Sequence, residues 1–323
     1  MAMRTIHIDD YKSTGPCVVC VGNFDGVHRG HQSLMRQAVQ SAGADTPTVY
    51  TFSRHPANVL AGRPVNPLIT TNQERLAILE ELGIAQTVLD PFRPELYNMA
   101  PETFFEEILI GRLHATAIVC GTRYHFGRDG AGDVRLLEQC CDHSGIVLHL
   151  MPPVRQGDRI ISSSWVRSAI AEGDVQTAAQ LLGRPYRLTA EVLQGDHRGR
   201  TLGTPTANQA FPELKLRPRK GVYITRLTID GAVYYGTTAV SARPTFHGGS
   251  GGDNILAETH VLHYEGDLYG RTLQVDFLQR TRDIVTFSSA AQLRDRLCHD
   301  VAEADALRAE ELGVPSLRTE VER

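Results

Sequence analysis

The chain has 323 residues, of which 41% are hydrophobic and 22% are charged, and its formal net charge is −4. This length exceeds the usual size of one core and predicts two domains. The nearly balanced charge gives no general electrostatic attraction to nucleic acid or to an anionic membrane. The start, MAMRTIHIDDYK, lacks a signal-peptide core, and no stretch approaches the roughly 18 apolar residues of a membrane span. We expect a cytoplasmic protein without nucleic-acid or membrane partners, as a monomer or weak homo-oligomer.

The cysteines are few and scattered, which is typical of free thiols in a reduced compartment. Cys17 and Cys20 form a CxxC within the run CVVCV. That run predicts a strand, in which positions three apart point to opposite faces and cannot chelate one metal. We interpret both thiols as small buried core residues.

The first half alternates apolar runs with helical patterns, which predicts an α/β domain with a parallel sheet covered by helices on both faces. The runs are CVVCV, PTVYTF, TAIVC and IVLHLM, and the helical patterns are HQSLMRQAVQSA, NQERLAILEELG and VRLLEQCCDHSG. Helices from Ser164 to Leu182 close this domain, and Gly183-Arg184-Pro185 interrupts the pattern. The sequence therefore predicts domains over residues 1–183 and 184–323.

The second half consists of short runs of period two between Gly and Pro residues: YRLTAEVL, GVYITRLTI, AVYYGTTAV, ETHVLHY and LQVDFL. This pattern predicts a small antiparallel β-barrel. A C-terminal helix from about Ser289 to Leu312 carries Leu293, Leu297, Val301 and Ala304 at helical spacing. We expect that apolar face to pack on the barrel.

The first candidate site is the segment GNFDGVHRGH, which runs from Gly22 to His31 between the strand CVVCV and a helix. Glycines allow a sharp turn and a close approach to a ligand, while a helix start offers free amide donors to phosphate. His28 and His31 are three apart and can face one pocket, where their imidazoles donate to phosphate oxygens. An HxxH pair is also compatible with zinc, but the Glu of HExxH and a nearby third ligand are absent from this sequence.

GNFDGVHRGH resembles the signature of the nucleotidyltransferase superfamily, in the form used by FMN adenylyltransferases. Similar motifs follow in family order: TFSRHP resembles TFxPHP, GTRYHFG resembles GxDFxFG, and ISSSWVR resembles ISSTxIR. The resemblance implies catalytic roles for His28, His31 and Arg167. It implies nucleotide contacts for Gly22, Asn23, Phe24, Asp25, Gly26, Gly30, Ser162, Ser163 and Ser164, and flavin contacts for His55, Pro56, Arg123, Tyr124 and Phe126. From the residues alone, Ser163 or Ser164 is equally a helix cap.

The second candidate site begins with the segment GDHRGRTLGTPTAN, from Gly195 to Asn208. Glycines and arginines favour a cationic loop over nucleotide phosphates, and the Thr206 hydroxyl and Asn208 carbonyl are hard oxygen ligands for Mg²⁺. Alternatively, PTAN is only a turn between strands. The segment resembles the riboflavin kinase signature GxxRGRxLGxPTAN, which implies nucleotide binding by Gly195, Arg198, Gly199, Arg200 and Gly203 and metal binding by Thr206 and Asn208.

Glu258 lies in a further segment similar to the family's ETHxxDFxGDLYG, whose first glutamate is the general base. Taken alone, a strand glutamate is usually a solvated surface residue. Arg282 and Phe287, within RTRDIVTF, correspond to RxRDExxF and imply contacts at a flavin site.

Taken together, the resemblance covers nearly the whole chain, in the order of the bacterial bifunctional riboflavin kinase/FMN adenylyltransferases. It implies a Rossmann-like nucleotidyltransferase domain and a riboflavin kinase barrel. The implied substrates are riboflavin, FMN and ATP, with Mg²⁺ as cofactor.

Some positions depart from the family pattern. Arg54, Arg93 and Arg123 add positive charge in the first domain, and Ala239-Val240-Ser241 replaces the family's NxG. A cation at position 123 cannot accept the flavin imide hydrogen bond. Three alternatives therefore stay open: a paralogue for a flavin analogue or another nucleotide, an enzyme that has lost one activity, and a non-catalytic flavin-binding protein.

Overall fold

A computed structural model describes residues 2–194, 206–242 and 255–313 of the chain. These residues form two compact units, Met1–Trp165 and Val166–Arg323. The division falls inside the helix Ser163–Glu172. The domain boundary after residue 183 stays a prediction.

The first unit is built of parallel strands joined by helices. Its elements are β1 (Arg4–His7), β2 (Cys17–Val21), α1 (Arg29–Ser41), β3 (Thr46–Phe52), α2 (Pro56–Leu60), α3 (Asn72–Glu81), β4 (Gln86–Asp90), α4 (Pro94–Tyr97), α5 (Pro101–Thr103, continued as a π-helix over Phe104–Arg112), β5 (Ala115–Gly121), α6 (Val134–Ser144), β6 (Val147–Met151), and the hairpin β7 (Arg155–Gln156) and β8 (Arg159–Ile160). The helix α7 (Ser163–Glu172) begins at the end of this unit.

The parallel sheet has the strand order β1-β4-β3-β2-β5-β6. From β2 the chain builds towards β3 and β4 on one side, and it later returns to add β5 and β6 on the other. The boundary between β2 and β5 is therefore the topological switch point, outside which ligands bind in open α/β sheets.

The residues of β2 divide between the cores on the two faces of the sheet. Cys17, Val19 and Val21 belong to one apolar cluster, while Val18 and Cys20 belong to the other. The expectation that the two thiols of the CxxC point to opposite faces is confirmed. Burial raises the pKa of Cys17 to about 11 and also raises that of Cys20.

The second unit contains an antiparallel closed barrel with the strand order β10-β13-β12-β11-β14-β9. Its elements are α8 (Val175–Leu182), β9 (Tyr186–Leu193), β10 (Thr206–Ala210), β11 (Gly221–Ile229), β12 (Ala232–Ala242), β13 (Ile255–Val261), β14 (Thr272–Arg282) and α9 (Ala290–Leu312). The predicted fold class is confirmed in both halves.

The C-terminal helix α9 begins where the sequence predicts, because Ser289 accepts a hydrogen bond from the amide of Gln292 and caps its first turn. Its apolar contact with the barrel is made by Val301, Ala304 and Leu307. Leu293 and Leu297 are half-buried but do not belong to this apolar cluster. The packing face is thus displaced towards the C-terminal half of the helix relative to the expected one.

Five of the described strands were not predicted from the sequence: β1, β4, the hairpin strands β7 and β8, and β10. The run QTVLD forms β4, and Thr206–Ala210 forms β10. The interpretation of PTAN as only a turn is wrong for Thr206, Ala207 and Asn208, since all three lie on a barrel strand.

Candidate active sites

The turn from β2 into α1 requires unusual backbone conformations. Phe24 and Val27 have positive φ angles of 53° and 39°, and Gly26 has a φ of 83°. A Cβ at Gly22 would lie 2.7 Å from the ring of Phe24, so this position needs glycine. The turn therefore places backbone directly at the end of β2, as phosphate binding requires.

Buried charged residues hold the turn in place. The Asp25 carboxylate, 2% exposed, accepts hydrogen bonds from the backbone amides of Ile69 and Thr70. Arg75, which sequence reasoning missed, donates to the carbonyl of Asn23 at 2.9 Å. Burial lowers the pKa of Arg75 to about 10, which still leaves a cation at neutral pH. The Asp25 side chain thus fixes the turn, and its contact with a nucleotide stays a prediction.

The two predicted histidines lie together at the start of α1. His28 is the N-cap residue, and its Nδ1 accepts from the backbone amide of His31 at 3.3 Å. Their rings stack with centroids 3.6 Å apart. Capping by His28 fixes its ring, and the i, i+3 spacing brings His31 beside it.

Both histidines line a pocket of about 300 Å³ at the switch point. The pocket lies outside the carboxyl ends of β2, β5 and β6, since Val21, Gly121 and Met151 are among its lining residues. Those predicted nucleotide residues that line it are Gly22, Asn23, Phe24, Asp25, Gly30, Ser162 and Ser163. Gly26 and Ser164 do not: Gly26 is buried in the turn, and Ser164 is exposed.

Ser162, rather than Ser163 or Ser164, is the serine that caps α7, because its Oγ accepts from the amide of Trp165 at 3.3 Å. The expected cap at Ser163 or Ser164 is therefore wrong. The Ser163 hydroxyl instead donates to the carbonyl of Asp25 at 2.9 Å, which joins α7 to the glycine turn. Arg167 is half-buried one turn later on α7, in the second unit. Its catalytic role stays a prediction.

The predicted flavin residues fall into two groups. His55 caps α2, where Pro56 is the first residue, just beyond the carboxyl end of β3. Tyr124 lines the pocket, and its ring stacks on Phe126 at 5.6 Å. Phe126 is only 6% exposed and belongs to the core, so we place it behind Tyr124 as a packing residue.

Sequence reasoning missed one wall of the pocket. This wall consists of Met151, Pro152, Pro153, Val154 and Ile160, from the end of β6 and the following hairpin. Their position directly after the predicted strand IVLHLM was the available signal, because carboxyl ends of parallel strands meet at one edge of a sheet.

In the barrel, three predicted residues lie side by side. Asn208 on β10 is paired in register with Glu258 on β13. Thr206 lies two residues from Asn208 and therefore on the same face, and its hydroxyl donates to Glu258 Oε1 at 3.1 Å. Glu258 is exposed, as a base that must reach a substrate hydroxyl requires.

A pocket of about 340 Å³ adjoins Thr206. Apolar and aromatic side chains supply most of its lining, including Val192, Val261, Leu268 and Tyr269. An apolar pocket beside a hydroxyl and a carboxylate suits a ligand with a planar ring and a phosphate chain.

Arg282 makes a different contact from the one expected. Its guanidinium binds the carboxylate of Asp300 on α9, with Nε and Nη2 at 2.9 and 2.6 Å from the two oxygens. Asp300 is 2% exposed and also lies 3.1 Å from Arg296. This pair joins β14 to α9, and a flavin contact by Arg282 stays a prediction.

The predictions for Gly195, Arg198, Gly199, Arg200 and Gly203 lie outside the described residues. Within residues 2–194, 206–242 and 255–313, no group of three or more His, Cys, Asp or Glu side chains is arranged to hold a metal ion. No helix in the same part of the chain is long and apolar enough to span a membrane.

A parallel sheet with a phosphate-binding turn at its switch point, and a barrel that joins a threonine, an asparagine and a glutamate, define a two-domain nucleotide-dependent transferase. Residues 10–165 match the family model for FAD synthetase, and residues 182–308 match that for riboflavin kinase. The chain belongs to the bifunctional riboflavin kinase/FMN adenylyltransferase family. It is a transferase of FAD biosynthesis, with a riboflavin kinase half and an FMN adenylyltransferase half.

Individual relatives agree with this assignment. The chain is 31% identical to the bifunctional riboflavin kinase/FMN adenylyltransferase of Bacillus subtilis (strain 168), over 94% of this chain and 97% of that protein. It is 33% identical to the same-named protein of Pseudomonas fluorescens, over 91% and 93% of the two chains. A crystal structure titled macrolide-efflux protein from Streptococcus pneumoniae has a TM-score of 0.83 and 32% identity, covering 93% of this chain and 98% of that one.

Proposed function

We propose that the two reactions occur at the two sites described above, with ATP and Mg²⁺ serving both. The barrel phosphorylates riboflavin to FMN, and the pocket of the parallel sheet adenylylates FMN to FAD. The observation that carries this proposal is that each unit brings its own phosphate-handling residues together: His28 and His31 in one, Thr206, Asn208 and Glu258 in the other.

At the barrel, Glu258 acts as general base. It takes the proton from the riboflavin 5′-hydroxyl as that oxygen attacks the γ-phosphorus of ATP, and ADP leaves. The hydrogen bond from Thr206 orients the carboxylate. The apolar pocket beside Thr206 binds the base of the nucleotide, because its lining offers an apolar slot with the aromatic ring of Tyr269.

The residues present at the barrel fit Mg²⁺. The Thr206 hydroxyl and the Asn208 side-chain carbonyl are oxygen ligands on one face of β10, and Mg²⁺ prefers such ligands together with substrate phosphates. When bound, the ion supplies neutralisation of phosphate charge. Thr206 and Asn208 would hold it, while Glu258 remains available for the proton.

In the sheet pocket, no protein nucleophile is required. A phosphate oxygen of FMN attacks the α-phosphorus of ATP, the bond to the bridging oxygen breaks, and pyrophosphate leaves. His28 and His31 donate hydrogen bonds to the phosphates, so positioning and charge stabilisation supply the rate. A catalytic role for Arg167 stays a prediction. His55, Pro56 and Tyr124 contact the flavin.

The test is a double dissociation in the intact chain, with flavins resolved chromatographically after incubation with ATP and Mg²⁺. Glu258→Gln is expected to lose roughly 10²- to 10⁴-fold in FMN formation, the usual contribution of a general base, while still converting added FMN to FAD. His28→Ala is expected to lose FAD formation from added FMN while still phosphorylating riboflavin to FMN. The matched controls Glu191→Gln and His143→Ala change exposed residues away from both sites and leave both rates unchanged.

Two results would contradict the proposal. If the wild-type chain forms neither FMN nor FAD, the assigned activities are wrong. If Glu258→Gln phosphorylates riboflavin as fast as the Glu191→Gln control, Glu258 is not the base.

A further inference from the structure

Arg123 is one of the arginines of the first unit that depart from the family pattern. It follows β5 in GTRYHFG, a stretch in which the resemblance has an acidic or amide residue. The arginine is exposed, and it lines the same pocket as His28 and His31. Its guanidinium has no hydrogen bond or ion pair within the part of the chain that the structure describes. A cation is therefore available at the pocket.

The pocket offers this cation little negative charge. Among its described lining residues, Asp25 is the one acidic side chain, and that carboxylate is buried and bound to the amides of Ile69 and Thr70. Besides Arg123, the other ionisable side chains of the lining are the two histidines and Tyr124. A concave surface with an arginine beside two imidazoles attracts an anion.

The other two departing arginines do not share this position. Arg93 forms an exposed ion pair with Asp9, and neither Arg93 nor Arg54 is among the lining residues of the pocket. His55 and Pro56, which we assign to the flavin, do not line it either. Arg123 thus lies with the residues assigned to the nucleotide.

We propose that Arg123 binds the polyphosphate of ATP in the adenylyl-transfer pocket, as a cationic group beside the imidazoles of His28 and His31, and does not contact the flavin ring. This inference rests on the proposed function of the pocket. A planar guanidinium can bind two phosphate oxygens at once and stays protonated at any working pH. Because the β- and γ-phosphates leave together as pyrophosphate, the same contact holds the leaving product.

The experiment measures FAD formation from FMN in the intact chain, with either ATP or FMN varied. In Arg123→Gln, KM for ATP is expected to rise about ten- to a hundredfold, the range for losing a charge-assisted hydrogen bond, with KM for FMN within twofold of wild type. Inhibition by added pyrophosphate is expected to weaken in parallel. Arg123→Lys keeps the positive charge but loses the planar guanidinium. Its KM for ATP is therefore expected to lie between those of the wild type and Arg123→Gln.

The controls are Arg54→Gln and Arg93→Gln, which remove the same charge outside the pocket and leave both KM values unchanged. Urea unfolding of each variant reports whether the first unit, which contains Arg123, is folded. If Arg123→Gln is unfolded, Arg123→Lys decides, since an intermediate KM for ATP supports the proposal and a wild-type one overturns it.

Three outcomes separate the explanations. A raised KM for FMN with an unchanged KM for ATP assigns Arg123 to the flavin and overturns the proposal. Unchanged kinetic constants and unchanged pyrophosphate inhibition overturn it as well. A wild-type chain that makes no FAD from FMN and ATP contradicts the proposed function itself, and the inference fails with it before any variant is compared.

Discussion

The position of His28 depends on the absence of a side chain at Gly30. A Cβ at Gly30 would lie 3.0 Å from His28 Cε1 and 3.1 Å from its Nδ1, whereas ordinary contacts begin at 3.4 Å. Gly30→Ala therefore displaces the His28 ring by several tenths of an ångström. The ring is also stacked on His31 with centroids 3.6 Å apart, so a shift of His28 towards His31 displaces the second histidine.

The expected effect separates activity from stability. A misplacement of about 1 Å can cost roughly 10²-fold in rate, so a shift of this size is expected to lower FAD formation about tenfold. The displaced ring loses the 3.3 Å hydrogen bond from the His31 amide to His28 Nδ1. Losing such an N-cap hydrogen bond destabilises the folded chain by about 1 kcal/mol. Alanine in place of glycine in a helix stabilises the folded chain by up to about 1 kcal/mol. Net stability is therefore expected to change by less than about 1 kcal/mol.

The assay compares FAD formation from FMN with FMN formation from riboflavin in the same preparation, and urea unfolding measures stability. Gly121→Ala is the matched variant, since it adds a methyl group to the same pocket where no atom lies within 4 Å of the new Cβ. Wild-type FAD formation by Gly30→Ala would refute the reasoning. An equal loss in Gly121→Ala would show that filling the pocket, and not moving His28, is the cause.

Two further predictions concern buried carboxylates. Asp300→Asn is expected to destabilise the barrel by about 3 kcal/mol, because it leaves the largely buried Arg282 without its counter-ion. Urea unfolding measures this change in stability. A loss no larger than that caused by Asp295→Asn, at an exposed residue of the same helix, would contradict the prediction. Burial raises the pKa of Asp90, despite hydrogen bonds from the Phe92 amide and the Tyr50 hydroxyl. Its contribution to stability is therefore present below the ordinary carboxyl pKa and is lost as pH rises through the raised one. In Asp90→Asn, the unfolding free energy is expected to fall less steeply as pH rises over this range. If the pH dependence of the unfolding free energy is the same as in the wild type, groups other than Asp90 cause the fall.

The junction of β2 and α1 was predictable because its signals are local. An apolar run, a glycine turn and a helical pattern follow one another within residues 17–41. The opposite faces of Cys17 and Cys20 follow from strand period alone. The topology of the sheet then brings the end of β5 to the same pocket.

Two of the strands that were missed, β4 and β10, carry buried polar residues whose partners are distant in sequence. In β4, Gln86 donates to the hydroxyl of Tyr11, and Asp90 accepts from Tyr50. In β10, Gln209 is fully buried and donates to the carbonyls of Ala190 and Leu273. Hydrophobic periodicity cannot detect such strands, because the hydrogen bonds that make their burial possible are formed only in the folded chain.

Among the departures from the family pattern that the structure describes, the barrel has one beside its site. Ala239 occupies the position of the family's asparagine, and on β12 it is paired in register with Glu258. The methyl group cannot donate to the carboxylate as an amide would. Thr206 nevertheless donates to Glu258 from β10 on the opposite side, so the proposed base keeps an orienting hydrogen bond. The substitution thus removes a neighbour of the carboxylate without separating Glu258 from Thr206 and Asn208, and it keeps the arrangement on which the proposed phosphoryl transfer depends.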